Sequence, residues 1–236
     1  MQVVLRSNSF AVQITSRIGR KIIKEDKTYY RRRLPHIQPS DAMFFVTFRI
    51  ANSLPKQIVV LLMEEREQRV KIINTEKNTK KRKEMLDKER QRYFGHFDEY
   101  LDRVKESPRW LSDPEVAEMV AEAIKYQDGK QYVLNAFCVM PNHVHMIIDL
   151  EQSNASLYRI LQKLKSYTAI QANKILYRSG VFWHHESYDH VVRDGSEFER
   201  IVWYILQNPV KAGLCKIWED WKWSYVKPEY DRIAKQ

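Results

Sequence analysis

The chain has 236 residues, 44% of them apolar, which suits one cored domain with embellishments and excludes a disordered tail. Its 40 Lys and Arg against 30 Asp and Glu leave a formal charge of +10, and that favours a polyanionic partner, because neutralising phosphates releases counterions. Cys138 and Cys215 stand far apart without a CxxC pair, which argues against a disulfide framework and a thiolate zinc site.

No apolar run approaches the ~18 residues that span a bilayer. The basic N-terminus lacks the apolar core of a secretory signal. A cytosolic, nucleoid-associated location without membrane contact is the resulting expectation.

Residues 1–40 read as an N-terminal extension, with a short strand suggested by Val3, Val4, Phe10, Val12 and Ile14 and a basic-aromatic run from Tyr29 to Arg33. The principal domain is expected over 41–226, with a helical insertion at about 56–127 and a tail at 227–236. Ala42 to Ala51 is rich in aromatic and β-branched residues and predicts a buried strand. From Pro55 to about Arg92 the pattern is helical and heavily charged, peaking at Lys80-Lys81-Arg82-Lys83. It predicts one long helix or two, standing partly off the domain with a solvated face. Asp113 followed by Pro114 marks a helix start, and Val116, Met119, Val120, Ala123 and Ile124 form its apolar face.

Two strands follow, 131–140 and 143–150, broken only by Pro141-Asn142. Leu157, Ile160, Leu161, Leu164 and Tyr167 predict an amphipathic helix to about Tyr177. Another strand is expected at 187–193, and Ser196 with Glu199 reads as a capping box opening a helix to about Gln207. The succession is that of an α+β, ferredoxin-like antiparallel sheet (βαββαβ) with helices on one face, plus a charged helical insertion.

His143-Val144-His145 is the sharpest chemical feature. On a strand, residues two apart point the same way, so two imidazoles stand together and Val144, Met146, Ile148 and Leu150 face the opposite side. Neutral imidazoles at that spacing can share a divalent metal. In the last helix Tyr204 and Asn208 lie one turn apart at the border of the stripe Phe198, Ile201, Val202 and Ile205. The pattern alone leaves open whether they meet the histidines or serve as a packed tyrosine and a helix-ending asparagine. Tyr167 is the rival nucleophile, but continues the packing stripe with Leu164 and Gln171. His184, His185 and His190 cluster near the last expected strand with no role assigned.

Val139 to His145, followed by Tyr204 to Gly213 (YILQNPVKAG), resembles the Y1 transposases of the HUH superfamily. The likeness is greatest to the branch associated with repetitive extragenic palindromes (REP). Phe182-Trp183, Tyr188-Asp189, Arg193-Asp194 and Trp223-Ser224-Tyr225 fit the same branch, so the resemblance covers roughly residues 30–226. It implies that His143, His145 and Asn208 ligate Mg²⁺ or Mn²⁺ at a scissile phosphate. It further implies that Tyr204 attacks phosphorus, leaving a 5′-phosphotyrosine and a free 3′-OH. The implied substrate is single-stranded DNA folded as a hairpin or palindrome. Arg31, Arg32, Arg33, Lys163, Lys165 and Arg193 are the candidate phosphate contacts, with Arg178 nearby. The long continuation after Asn208 leans toward a monomer. Two other readings stay open: a binding-only hairpin-recognition module, and a metal hydrolase that uses water as nucleophile.

Overall fold

The computed structural model describes residues 27–31, 35–39, 42–104, 107–151, 153 and 155–233. The strand expected between Val3 and Ile14 lies outside the described residues, as do Arg32 and Arg33. Two short strands, β1 (Lys27–Arg31) and β2 (Pro35–Pro39), pair antiparallel as a separate ribbon.

The main sheet is built from β3 (Met43–Ile50), β4 (Val133–Val139), β5 (His143–Asp149), β6 (Trp183–Val191) and β7 (Ser224–Val226), in the order β6-β3-β5-β4-β7. Every pairing is antiparallel. The first four strands have the order expected of a βαββαβ ferredoxin-like domain, and β7 extends it past β4. β6 begins at Trp183, four residues before the predicted start, because Ile50 pairs with Trp183 beyond a register shift.

Two helices precede the central hairpin as an excursion, α1 (Lys56–Ile73) and α2 (Thr79–Arg103), so the charged stretch folds as two helices. Then come α3 (Pro114–Tyr126), α4 (Leu157–Ile175) and α5 (Gly195–Lys211). Asp113 caps α3 as predicted, its carboxylate accepting from the Glu115 and Val116 amides. The cap of α5 is Asp194 rather than Ser196: its carboxylate accepts from the Glu197 amide, and Glu197 returns a bond to the Arg193 amide. The reciprocal box is therefore D-x-x-E, two residues upstream of the S-x-x-E reading, and α5 runs on through Pro209.

The alternation of β3 sorts the core into two layers. Phe44, Val46, Phe48 and Ile50 join Val144, Met146 and Ile148 of β5 against Val116, Val120 and Ile124 of α3 and Leu157, Ile160, Leu161 and Leu164 of α4. Phe45 and Ile147 face the other way, with Ala136 and Cys138, and meet Phe198, Val202, Ile205 and Leu206 of α5 and Phe94 of α2. The expectation of helices on one face holds for α3 and α4. The other face is largely apolar as well, apart from the histidines and the Thr47 and Arg49 side chains paired with them, so α5 and the end of α2 cover it. Tyr167 is a correction: it is 54% exposed, and Thr168, one residue on, continues the buried stripe to Ala172.

Candidate active site

β5 supplies two of the groups, and the strand's period does the aiming. His143 and His145 share the face opposite Val144 and Met146, and both are fully buried. Their Nε2 atoms are 2.9 Å apart. The outer ring nitrogens are each held. Asn142 gives its amide N–H to the Leu101 carbonyl at 2.8 Å, so its oxygen is the atom 2.6 Å from His143 Nδ1. That oxygen can only accept, so His143 carries its proton on Nδ1 and presents a bare Nε2. Thr47, directly across on β3, places its hydroxyl 2.7 Å from His145 Nδ1. Burial first, then the neighbouring His145 and Arg109, hold His143 down at about 3, so it is a neutral ligand at physiological pH.

The third member comes from α2. Asp98, 4% exposed, puts Oδ1 3.3 Å from His145 Nε2 and 3.7 Å from His143 Nε2. That oxygen has no hydrogen-bond partner, and the other accepts from the Tyr204 hydroxyl. Burial pushes the Asp98 carboxyl up, but His145, His143 and the Tyr204 bond outweigh it and hold it at about 2, so it is ionised. Asp98, His143 and His145 form a buried group able to hold a metal ion. The fit is specific: bonds of about 2.1 Å in an octahedron put adjacent donors about 3 Å apart, close to the separations seen. A carboxylate oxygen and two imidazole Nε2 atoms turned toward one point are the donor set such an ion would take.

α5 brings the remaining two residues. Its apolar stripe buries against Phe45 and Ile147, and Tyr204 stands at the edge of that stripe. The Tyr204 ring lies 5.6 Å from His145, 6.1 Å from Phe45 and 6.2 Å from Phe94. Burial, then the Asp98 charge and hydrogen bond, push its hydroxyl far above the usual tyrosine range, while the Asn208 side chain works in the opposite sense. Asn208, 1% exposed, donates its amide N–H to the Tyr204 carbonyl at 3.2 Å, leaving its amide oxygen as the atom able to serve a metal.

The other sequence candidates fall elsewhere. Lys163 is exposed on α4, across the sheet from the histidines, and Tyr167 lies on the same helix. Lys165 gives its ammonium to the His184 and His185 carbonyls at 2.6 and 3.2 Å and to the Ser187 hydroxyl. Arg193 pairs with Asp87 of α2 at 2.8 Å, tying the helical excursion to the end of β6. Arg178 lies over the Trp110 ring at 3.6 Å. His190 bonds Glu197 at 2.9 Å and so fixes the start of α5. Arg31 ends β1, and its side chain lies outside the described residues.

Asp98 is the residue the sequence reading missed. Its signal was a carboxylate in register with Phe94 and Leu101, four before and three after, on a stripe that the surrounding charges masked.

The family described as IS200-like transposases matches residues 77–208, more than half of the chain. This chain belongs to the IS200-like transposase family. Within it, the chain is 28% identical over 104 residues to the REP-associated tyrosine transposase of Escherichia coli K12, a match covering 43% of this chain and 58% of the relative. A Haemophilus influenzae protein named for the same REP-associated group is 26% identical over 98 residues, 38% of this chain and 56% of its own. The chain thus spans little more than half the length of these curated relatives. A solved REP-associated tyrosine transposase bound to a REP hairpin covers 84% of this chain and 81% of its own, at 17% identity and a TM-score of 0.47.

Proposed function

We propose that this IS200-like transposase cuts and rejoins single-stranded DNA, in hairpin or palindromic targets, through a 5′-phosphotyrosine on Tyr204. The observation that carries the reading is the convergence of a tyrosine hydroxyl, a carboxylate and two imidazole Nε2 atoms at one buried point. Membership of a transposase family and the REP-associated relatives support the class of substrate, and the charge of +10 supports a nucleic-acid partner.

His143, His145 and Asp98 would hold Mg²⁺ or Mn²⁺, with the Asn208 amide oxygen as a further ligand. The ion, when bound, polarises the scissile phosphate and offsets the charge that develops on its oxygens. Tyr204 forms a bond from its phenol oxygen to phosphorus and gives up its proton. The bond from phosphorus to the 3′ oxygen breaks, and that oxygen leaves with the electron pair and takes up a proton as a 3′-OH. Attack by a 3′-OH on the phosphotyrosine reverses the step and reseals the strand. Rigid aromatic walls from Phe45 and Phe94 fix the ring of Tyr204 for this attack. Phosphate contacts are assigned to Arg31, Arg32, Arg33 and Lys163, while Lys165 and Arg193 are spent mainly within the protein.

Labelled single-stranded hairpin oligonucleotides incubated with Mg²⁺, Mn²⁺ or EDTA test the reading on a denaturing gel. Cleavage is expected only with the ion. It should disappear in Tyr204→Phe, with hairpin affinity nearly unchanged, and in His145→Ala. Cleavage that persists in Tyr204→Phe points instead to a hydrolase using water. Tight, ion-independent binding with no cleavage in any condition points to a recognition module.

A further inference from the structure

One residue that lies in neither the HxH strand nor the tyrosine helix faces both the Tyr204 hydroxyl and the two imidazoles. Asp98 uses both of its oxygens in different directions: Oδ1 toward His143 and His145, Oδ2 toward the Tyr204 hydroxyl. We propose that Asp98 couples the metal to the nucleophile, ligating the ion through Oδ1 while Oδ2 holds the phenol oxygen beside it. The helical excursion α1–α2 is then part of the active centre rather than an appendage.

Three sets of contacts fix Asp98 in that role. One turn before it, Phe94 stacks on Tyr188 of β6 with centroids 4.2 Å apart and meets Phe45 edge-on at 5.3 Å. One turn after it, Leu101 is 1% exposed and its carbonyl takes the Asn142 amide, whose oxygen in turn orients His143. Farther back, Asp87 pairs with Arg193. The placement of α2 is therefore read at the same time by a metal ligand and by the nucleophile. A long, preorganised shell of this kind is what catalysis by alignment requires, since a misplacement of 1 Å costs about 100-fold in rate.

The competing account is that Asp98 is a plug, mimicking a phosphate and holding the site closed. A plug is expected to be satisfied in the closed state. Here Oδ1 is buried facing only the two imidazole Nε2 atoms, at 3.3 and 3.7 Å, with no well-formed hydrogen bond, and three such ligand atoms turned toward one point are what a cation would complete. The geometry therefore points to a ligand.

The inference rests on the reading of Tyr204 as nucleophile, and the test separates the two. Mn²⁺ binding to the full chain is followed by the resonance of the free ion, alongside cleavage of a hairpin oligonucleotide, for wild type, Asp98→Ala, Asp98→Asn, Tyr204→Phe and His145→Ala. Asp98→Ala is expected to bind Mn²⁺ at least about tenfold more weakly. Its kcat should fall about 100-fold with little change in KM for the oligonucleotide. Asp98→Asn, which keeps an oxygen for Tyr204, should recover part of that kcat. Thermal melting in EDTA should show Asp98→Ala less stable than wild type, since it loses the bond from Tyr204 and the attraction of His143 and His145, so Asp98→Asn, which keeps an acceptor for Tyr204, separates the loss of the ion from a loss of folding. Wild-type Mn²⁺ affinity and cleavage in Asp98→Ala overturn the inference, and so does faster cleavage, which would mark a plug. In either case inactive Tyr204→Phe and His145→Ala leave the proposed function standing. Cleavage by Tyr204→Phe removes that function and this inference together.

Discussion

Asp102 lies one turn beyond Asp98 and is the clearest titrating group outside the site. Burial first, then the Asp98 charge, raise its carboxyl to about 7. The folded protein thus keeps a proton there that the unfolded chain releases near the ordinary carboxylate value of about 3.9. Between those two values the unfolded state binds fewer protons, so stability falls as pH rises. Asp102→Asn mimics the protonated acid and removes that loss. In EDTA, the variant should gain on wild type from about pH 4 to about pH 7, reaching a difference on the order of 2 kcal/mol. Denaturant melts across that range check the sign, and a constant difference between the two proteins would contradict it.

Also at this scale, the shared face of His143 and His145 and the shared face of Tyr204 and Asn208 were legible because each pair obeys a simple period, two on a strand and four on a helix. Asp98 was not, because its neighbours Asp102, Arg103, Glu99 and His96 make the segment look solvated whichever face is read. Its position on the Phe94–Leu101 stripe was the only clue. Tyr167 shows the reverse failure: the stripe of α4 passes through Thr168, whose hydroxyl is buried by bonding the Leu164 carbonyl, and a polar residue there concealed the true face.

Among the elements, α2 has the most divided character. Its first half is a charged helix paired with α1, and its second half is an apolar clasp on the sheet. The clasp depends on Phe94, 9% exposed, which touches Phe45, Tyr188, His145 and Tyr204. Phe94→Ala should lower global or local stability by about 3 kcal/mol, the low end for emptying a buried aromatic site. Amide hydrogen exchange is expected to quicken across the second half of α2 while β3 and β5 keep their protection. Uniform quickening of every strand would contradict a clasp that opens on its own. The caps were partly legible: Asp113-Pro114 is unambiguous, whereas Asp194 and Ser196 both satisfy the sequence rule. Tertiary contacts decide in favour of Asp194, since Glu197 is drawn to His190 and the Arg193 amide.

The whole molecule shows why the order of elements was readable and the layering was not. Length, periodicity and turn residues mark helices and strands along the chain, and the βαββαβ order followed. Which sheet face a helix covers depends on the second face being apolar, and here Phe45, Ala136, Cys138 and Ile147 make it so. That second layer places α5 and α2 over the histidines. The net charge is a property of the same scale. Binding of a single-stranded oligonucleotide should weaken with salt, with log K falling by about 0.7 per log unit of salt for each phosphate contacted. A flat salt dependence would contradict a phosphate-binding surface.

The measurement closest to the central claim is peptide mass mapping after incubation with a hairpin oligonucleotide and Mg²⁺ or Mn²⁺. An ion-dependent DNA adduct is expected on the peptide that carries Tyr204, absent in EDTA and in Tyr204→Phe. Cleaved DNA with no adduct on that peptide would contradict it.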